Sequence, residues 1–232
     1  MSTKNSKGFT IIELLIATSV ASVMLLAASF AIIQMSRLYY KGNIVSKTQN
    51  TTRNVLDSVS RPIQFADSNV IRIADSDPSP IRYVCIGSQR LTYRLGVEQQ
   101  DDGLSASAGE VDGRARHVAW LDTIDSVCEA ADLDNVNPSS TGGGINGTDL
   151  IDDAMRLEHL DFKEQPGSSE RIWNIRVKVI YADDGDSGDL LETVDVTNPD
   201  GTTVTEVRCK GGVVGSQWCA VAEYNTSVYK RL

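Results

Sequence analysis

The chain has 232 residues and a formal net charge of −9, enough length for one membrane segment plus one globular domain. Residues 1–60 hold six basic and two acidic side chains, which leaves −13 on residues 61–232. A body that acidic repels phosphate backbones, so no nucleic-acid partner is expected, whereas cations are attracted.

Residues 1–8 form a short basic head, with Lys4 and Lys7, that ends at Gly8. Residues 9–33 follow, 25 positions at which Glu13 is the one charged side chain. A bilayer needs about 20 apolar residues, so this run can cross one. It is longer than a secretory h-region of about 7–15 residues, and it continues past Ala27-Ala28-Ser29, which mimics a cleavage site. In a plain membrane anchor, Glu13 would be a cost without a role.

The run Lys7-Gly8-Phe9-Thr10-Ile11-Ile12-Glu13-Leu14-Leu15-Ile16-Ala17 closely resembles the cleavage and methylation signal of type IV prepilins. The resemblance implies that a prepilin peptidase cuts after Gly8 and that Phe9, the new N-terminus, is N-methylated. It further implies that Glu13 attracts the positive N-terminus of a neighbouring pilin subunit on a pilus assembly platform. An ammonium and a carboxylate attract strongly in a low-dielectric bundle, and either alone is penalised. Major pilins carry a helix-loosening proline in this segment. This chain has none between Phe9 and Arg61, a departure shared with minor pilins.

Beyond Gln34 the apolar residues Leu38, Val45, Val55, Leu56, Val59 and Ile63 continue along one side, and Leu56, Val59, Ile63 and Ala66 keep helical spacing. Pro62 predicts an end or kink near residues 60–61, giving one helix of about 50 residues. After residue 67 strand-like runs alternate with polar turns, at 69–74, 82–86, 90–97, 117–121, 155–162 and 173–181, and more weakly at 202–208 and 220–229. Alternation at residues 90–95 and 176–180 predicts half-buried antiparallel strands. Residues 138–147 read as a flexible loop and 183–189 as an acidic turn. The expected class is therefore α+β: a long N-terminal helix packed on an antiparallel sheet, in agreement with the type IV pilin fold. The expected organisation is a leader at 1–8, a membrane and assembly half-helix at 9–34, an amphipathic half-helix at 35–66 and an extracytoplasmic sheet domain at 67–232.

Cys85, Cys128, Cys209 and Cys219 allow three pairings, and without a C-x-x-C or His/Cys cluster they do not read as a zinc site. Sequential pairing, Cys85–Cys128 and Cys209–Cys219, is preferred because the second pair closes a short glycine-bearing loop. An even count behind an export signal points to an oxidising compartment. Asp183, Asp184, Asp186, Asp189 and Glu192 form a candidate calcium cluster without EF-hand spacing; a solvated turn is its plainer explanation. No other cofactor is expected.

Gly142, Gly144 and Gly147 fit G-x-G-x-x-G but follow a loop and not a strand, so a dinucleotide site is not expected. Gly185-Asp186-Ser187-Gly188 resembles the nucleophile turn of trypsin-like proteases, yet neither His117 nor His159 sits in a base motif. No enzymatic activity is expected. Asn50, Asn146 and Asn225 open N-x-S/T triplets that matter only in a glycosylating host. Trp120, Trp173 and Trp218 read as core or interface residues.

Val55-Leu56-Asp57-Ser58-Val59-Ser60-Arg61 with Gln64-Phe65-Ala66, and Gln217-Trp218-Cys219-Ala220-Val221, resemble segments of W-class minor pilins and J-class pseudopilins. The implied function is a structural minor subunit of a type IV pilus. A type II secretion pseudopilin and a pilin-displayed adhesin are the alternatives. The implied route is a single-pass precursor in the cytoplasmic (inner) membrane, then an extracellular filament.

Overall fold

The computed structural model describes residues 9–65, 71–73, 81–100, 110, 113–124, 128–134, 145–167, 172–182, 190–197, 203–211 and 215–231. The chain divides into two units, Met1–Tyr40 and Lys41–Leu232. One helix, α1 (Ile11–Phe65), contributes to both.

In the first unit every residue from Phe9 to Tyr40 is exposed, and the helix is long and apolar enough to cross a membrane. Its hydroxyls make no demand on the surroundings. Thr18, Ser19, Ser22, Ser29 and Ser36 each donate to a carbonyl three or four residues back, at 2.8–3.1 Å. That is the condition for placing such groups in lipid.

In the second unit α1 buries Ile44, Thr48, Thr51, Thr52, Val55, Val59, Ser60 and Ile63. The stripe begins at Ile44, later than the expected Leu38, and threonines hold its middle. Thr48 and Thr52 satisfy their hydroxyls on Ile44 O and Thr48 O, at 2.8 and 2.7 Å, and present only methyl groups to the core. Leu38 belongs to the exposed first unit, and Val45 and Leu56 are half-buried. The expected stop near residues 60–61 is not found. Pro62 sits inside the helix, which continues to Phe65. Proline forfeits one backbone bond here, and full burial of the adjacent Ile63 offsets that loss.

The first sheet joins β1 (Ile71–Ile73), β2 (Ile81–Ile86), β3 (Gln89–Arg94), β6 (Ala119–Thr123) and β7 (Ile145–Asp149) in that order, all antiparallel. Gly87, with φ +63°, opens the two-residue turn between β2 and β3, where a left-handed backbone fits the strand twist. The second sheet has the order β12 (Cys219–Tyr229), β9 (Ile172–Ala182), β8 (Met155–Glu164), β4 (Glu98–Gln99) and β5 (Arg114–Ala115); only β4 and β5 run parallel. A separate hairpin consists of β10 (Leu191–Thr197) and β11 (Thr203–Cys209). The long helix with antiparallel-rich sheets is an α+β, pilin-like arrangement.

One core unites three elements. Val55, Val59 and Ile63 of α1 meet Val84, Ile86, Leu91 and Tyr93 of the first sheet and Leu157, Ile175, Val177 and Val179 of the second. A bulge in β8 between Leu157 and His159 shifts the inward positions from Met155 and Leu157 to Leu160 and Phe162.

Two strands expected to be half-buried are buried on both faces. In β3 the core side is Leu91 and Tyr93, while Arg90, Thr92 and Arg94 are covered by residues 128–134. In β9 the outward Lys178 is 2% exposed, and Ile180 packs against Leu190 and Val207 at the hairpin. The strands β4, β5 and β10 have no counterpart among the expected runs. The expected loop at 138–147 gives way to β7 from Ile145; its residues up to 144 lie outside the described residues, as do the turn at 183–189 and the leader at 1–8.

Gly147 is fixed by its neighbour. A Cβ built there would stand 2.2 Å from Trp120 Nε1 and 2.3 Å from Cε2, so the indole lies directly on the β7 backbone. Overpacking a filled site costs about 1–3 kcal/mol. Gly147→Ala is therefore expected to lower the unfolding free energy by that amount, read as a lower urea midpoint, whereas an equal change at the unobstructed Gly211 should not; equal midpoints for the two variants would refute the contact.

Candidate functional site

The first turn of α1 is built by a T-x-x-E pair. Thr10 precedes the first helical residue, and Glu13 lies three positions on. One carboxylate oxygen, Oε2, accepts from the Thr10 backbone N–H and from Thr10 Oγ1, each at 3.0 Å. In return Thr10 Oγ1 accepts from the Glu13 N–H at 3.3 Å. This is a capping box, which satisfies donors at the helix start and sets the carboxylate beside the positive end of the helix dipole. Among the described residues Glu13 Oε1 accepts no bond, so half of the carboxylate remains open. Phe9, directly before the box, is 80% exposed. Gly8 lies outside the described residues.

Thr10 is the residue that sequence reasoning missed. Its signal was present, since Ser or Thr three residues before Glu at the edge of an apolar run marks a helix start.

In the second unit several charged groups are committed to structure. Arg90 and Asp122, neither exposed, form a two-point pair, with Arg90 Nε donating to Oδ1 at 2.8 Å and Nη2 to Oδ2. His117 Nδ1 lies 3.0 Å from Asp149 Oδ2, and its ring meets Trp120 edge-on at 5.1 Å. A groove of about 590 Å³ is lined by Asp57, Ser58, Arg61, Phe65, Ser88 and Gln89, and no histidine lines it. Asp183, Asp184, Asp186 and Asp189 lie outside the described residues, and Glu192 is exposed on β10. Among the described residues no group of three His, Cys, Asp or Glu side chains could hold a metal. The structure joins Cys85 to Cys128 and Cys209 to Cys219, with Cα separations of 6.1 and 5.8 Å.

The family model of the prokaryotic N-terminal methylation motif matches residues 3–29. That match supports a type IV pilin-like protein. It covers the cleavage position, the capping box and most of the apolar helix of the first unit. No curated protein and no solved structure gives a significant match. For a pilin-like chain the motif implies processing by a prepilin peptidase and assembly with other pilins. With the apolar helix it supports membrane anchoring of the precursor. The class is one of structural subunits.

The pilin-like body carries one ion network of mixed exposure. Arg176 donates from Nε to Glu223 Oε1 at 2.7 Å and lies 3.7 Å from Glu206 on the hairpin. Glu206 accepts from Arg208 Nη2 at 3.0 Å, and this bond, with the charges of Lys178, Arg208 and Arg176, holds its carboxyl below the ordinary value of 4.5. A carboxylate so depressed stabilises the fold fully above its unfolded pKa and loses that contribution as pH falls through the folded one. Glu206→Gln should therefore lower the urea midpoint at pH 6, and the gap to wild type should close below pH 4.5. A gap independent of pH would show that Glu206 acts only by packing.

Proposed function

We propose that this chain is a structural minor subunit of a type IV pilus. The observation that carries the reading is the match at residues 3–29, whose helix opens on a carboxylate with one oxygen unengaged. Cleavage between Gly8 and Phe9 frees an α-amino group four residues before Glu13. N-methylation of Phe9 leaves that amine cationic. In a bundle of such helices the amine of one subunit and the Glu13 carboxylate of its neighbour neutralise each other, which removes two charges from a low-dielectric interior. Until extraction the apolar helix holds the precursor in the cytoplasmic membrane.

The minor role is supported by proportion and by the helix. Most of the chain, Lys41–Leu232, belongs to the second unit, and no proline interrupts residues 9–61. Segments 55–66 and 217–221 resemble both W-class minor pilins and J-class pseudopilins; residues 55–65 form the last turns of α1, and 217–221 run from a 3-10 turn into β12.

Gly8→Ala should leave the precursor unprocessed, seen as a higher mass by intact mass spectrometry; normal processing would sink the proposal. Glu13 separates two roles. A capping box accepts Gln as well as Glu, whereas pairing with an amine requires the charge. Glu13→Gln should therefore be processed normally yet be depleted from sheared filaments by about tenfold or more, the scale of a lost charge pair of 1.4 kcal/mol. Incorporation equal to wild type would reduce Glu13 to a capping residue.

A further inference from the structure

The outer face of β3 is closed by residues 128–134, and we propose that the Cys85–Cys128 disulfide makes this strap a redox-dependent cover. The strap is held to the sheet by side chains. Arg90 Nη1 donates to Glu129 O at 2.9 Å, Thr92 Oγ1 accepts from the Ala131 N–H at 3.0 Å, and Arg94 pairs with Asp134. Ala131 and Leu133 rest on Trp120. The fixed point is covalent: Cys85 stands opposite Arg90 in the β2–β3 register and is joined to Cys128 at the head of the strap.

Closure works against solvation. Arg94 is 3% exposed, yet among the described residues its Nε and Nη1 have no hydrogen-bond partner. Buried donors left unbonded oppose the closed state, because water would satisfy them once the strap lifted. Arg90 does not share this problem, since Asp122 in β6 accepts from it within the sheet. The strap thus covers donors that favour opening, and the disulfide holds it shut.

The second disulfide provides an internal contrast. Cys209–Cys219 ties the β10–β11 hairpin to β12, but the hairpin has its own seven-pair ladder. It is also docked through Val207 and Leu190 against Ile180 and through the Glu206–Arg176 pair. Loss of that link should leave it in place.

The step needs a dithiol reductant. Cys85 is 1% exposed and Cys128 half-buried, so the attacking thiolate bonds to the Cys128 sulfur. The S–S bond breaks, and Cys85 leaves as a thiolate and takes a proton. The second thiolate of the reductant then displaces Cys128, which is protonated in turn. Two electrons and two protons pass to the protein, and the reductant departs as a disulfide.

The test is hydrogen exchange on the full-length protein in detergent, before and after dithiothreitol. It is paired with acrylamide quenching of Trp120 in a Trp173→Phe/Trp218→Phe background. Reduction should raise exchange at the Ala131 amide by about tenfold or more, the scale of a local opening, while β9 keeps its protection. Trp120 quenching should rise in parallel. The Cys209→Ser/Cys219→Ser protein should respond as wild type does, and Cys85→Ser/Cys128→Ser should be open without reductant. Should the latter fail to fold, reduction of folded wild type still decides. Unchanged exchange and quenching after verified reduction would overturn the cover. So would loss of protection throughout β9, which would make the disulfide a support of the whole fold.

Discussion

From Phe9 to Tyr40 the helix α1 presents apolar side chains on every face and buries none of them within the chain. Apolar surface left in water costs about 25 cal/mol per Å². Several exposed leucine, isoleucine and phenylalanine side chains therefore set a demand that only lipid or other apolar helices can meet. The hydroxyls of Thr18, Ser19, Ser22, Ser29 and Ser36, bonded back to their own carbonyls, show the same constraint from the polar side, since none of them needs water. Membrane anchoring of the precursor and assembly with other pilins are the two settings in which that surface is satisfied.

Glu13 is the one charged side chain of residues 9–33, and its geometry shows how a carboxylate is tolerated there. Thr10 supplies two donors to one oxygen, and the helix start supplies a favourable field. Those contacts orient the group without cancelling its charge. A single buried charge remains costly even when hydrogen-bonded, so a cation placed near the open oxygen would gain more than it would in water. Capping thus leaves the charge of Glu13 available to such a cation.

The helix, its apolar half and most of the long strands were legible because periodicity and composition report them directly. The failures have physical causes. Thr48 and Thr52 count as polar, but once their hydroxyls are bound to the helix they bury methyl groups, so an apolar pattern misses the middle of the α1 stripe. Arg90, Thr92 and Arg94 alternate with Leu91 and Tyr93 like a solvent face, and only a segment some 40 residues away converts that face into an interior. The bulge in β8 shifts the inward positions, a change invisible to a fixed period of two. β10 escaped notice because its side chains are exposed or half-buried and its neighbours in sequence are acidic. Within the candidate site the carboxylate stood out as a lone charge, while its capping partner was one more polar residue beside a strong motif.

The second unit separates its chemistry by face. Inner faces of both sheets give apolar side chains to α1, and outer faces bury cations beneath the strap and the hairpin, each tied by a disulfide. What remains at the surface is mostly acid, consistent with a net of −13 beyond residue 60. Like charges repel over about 8 Å at physiological ionic strength. Two such bodies brought together gain little from their own surfaces, and an association in which the affinity resides in α1 avoids that conflict.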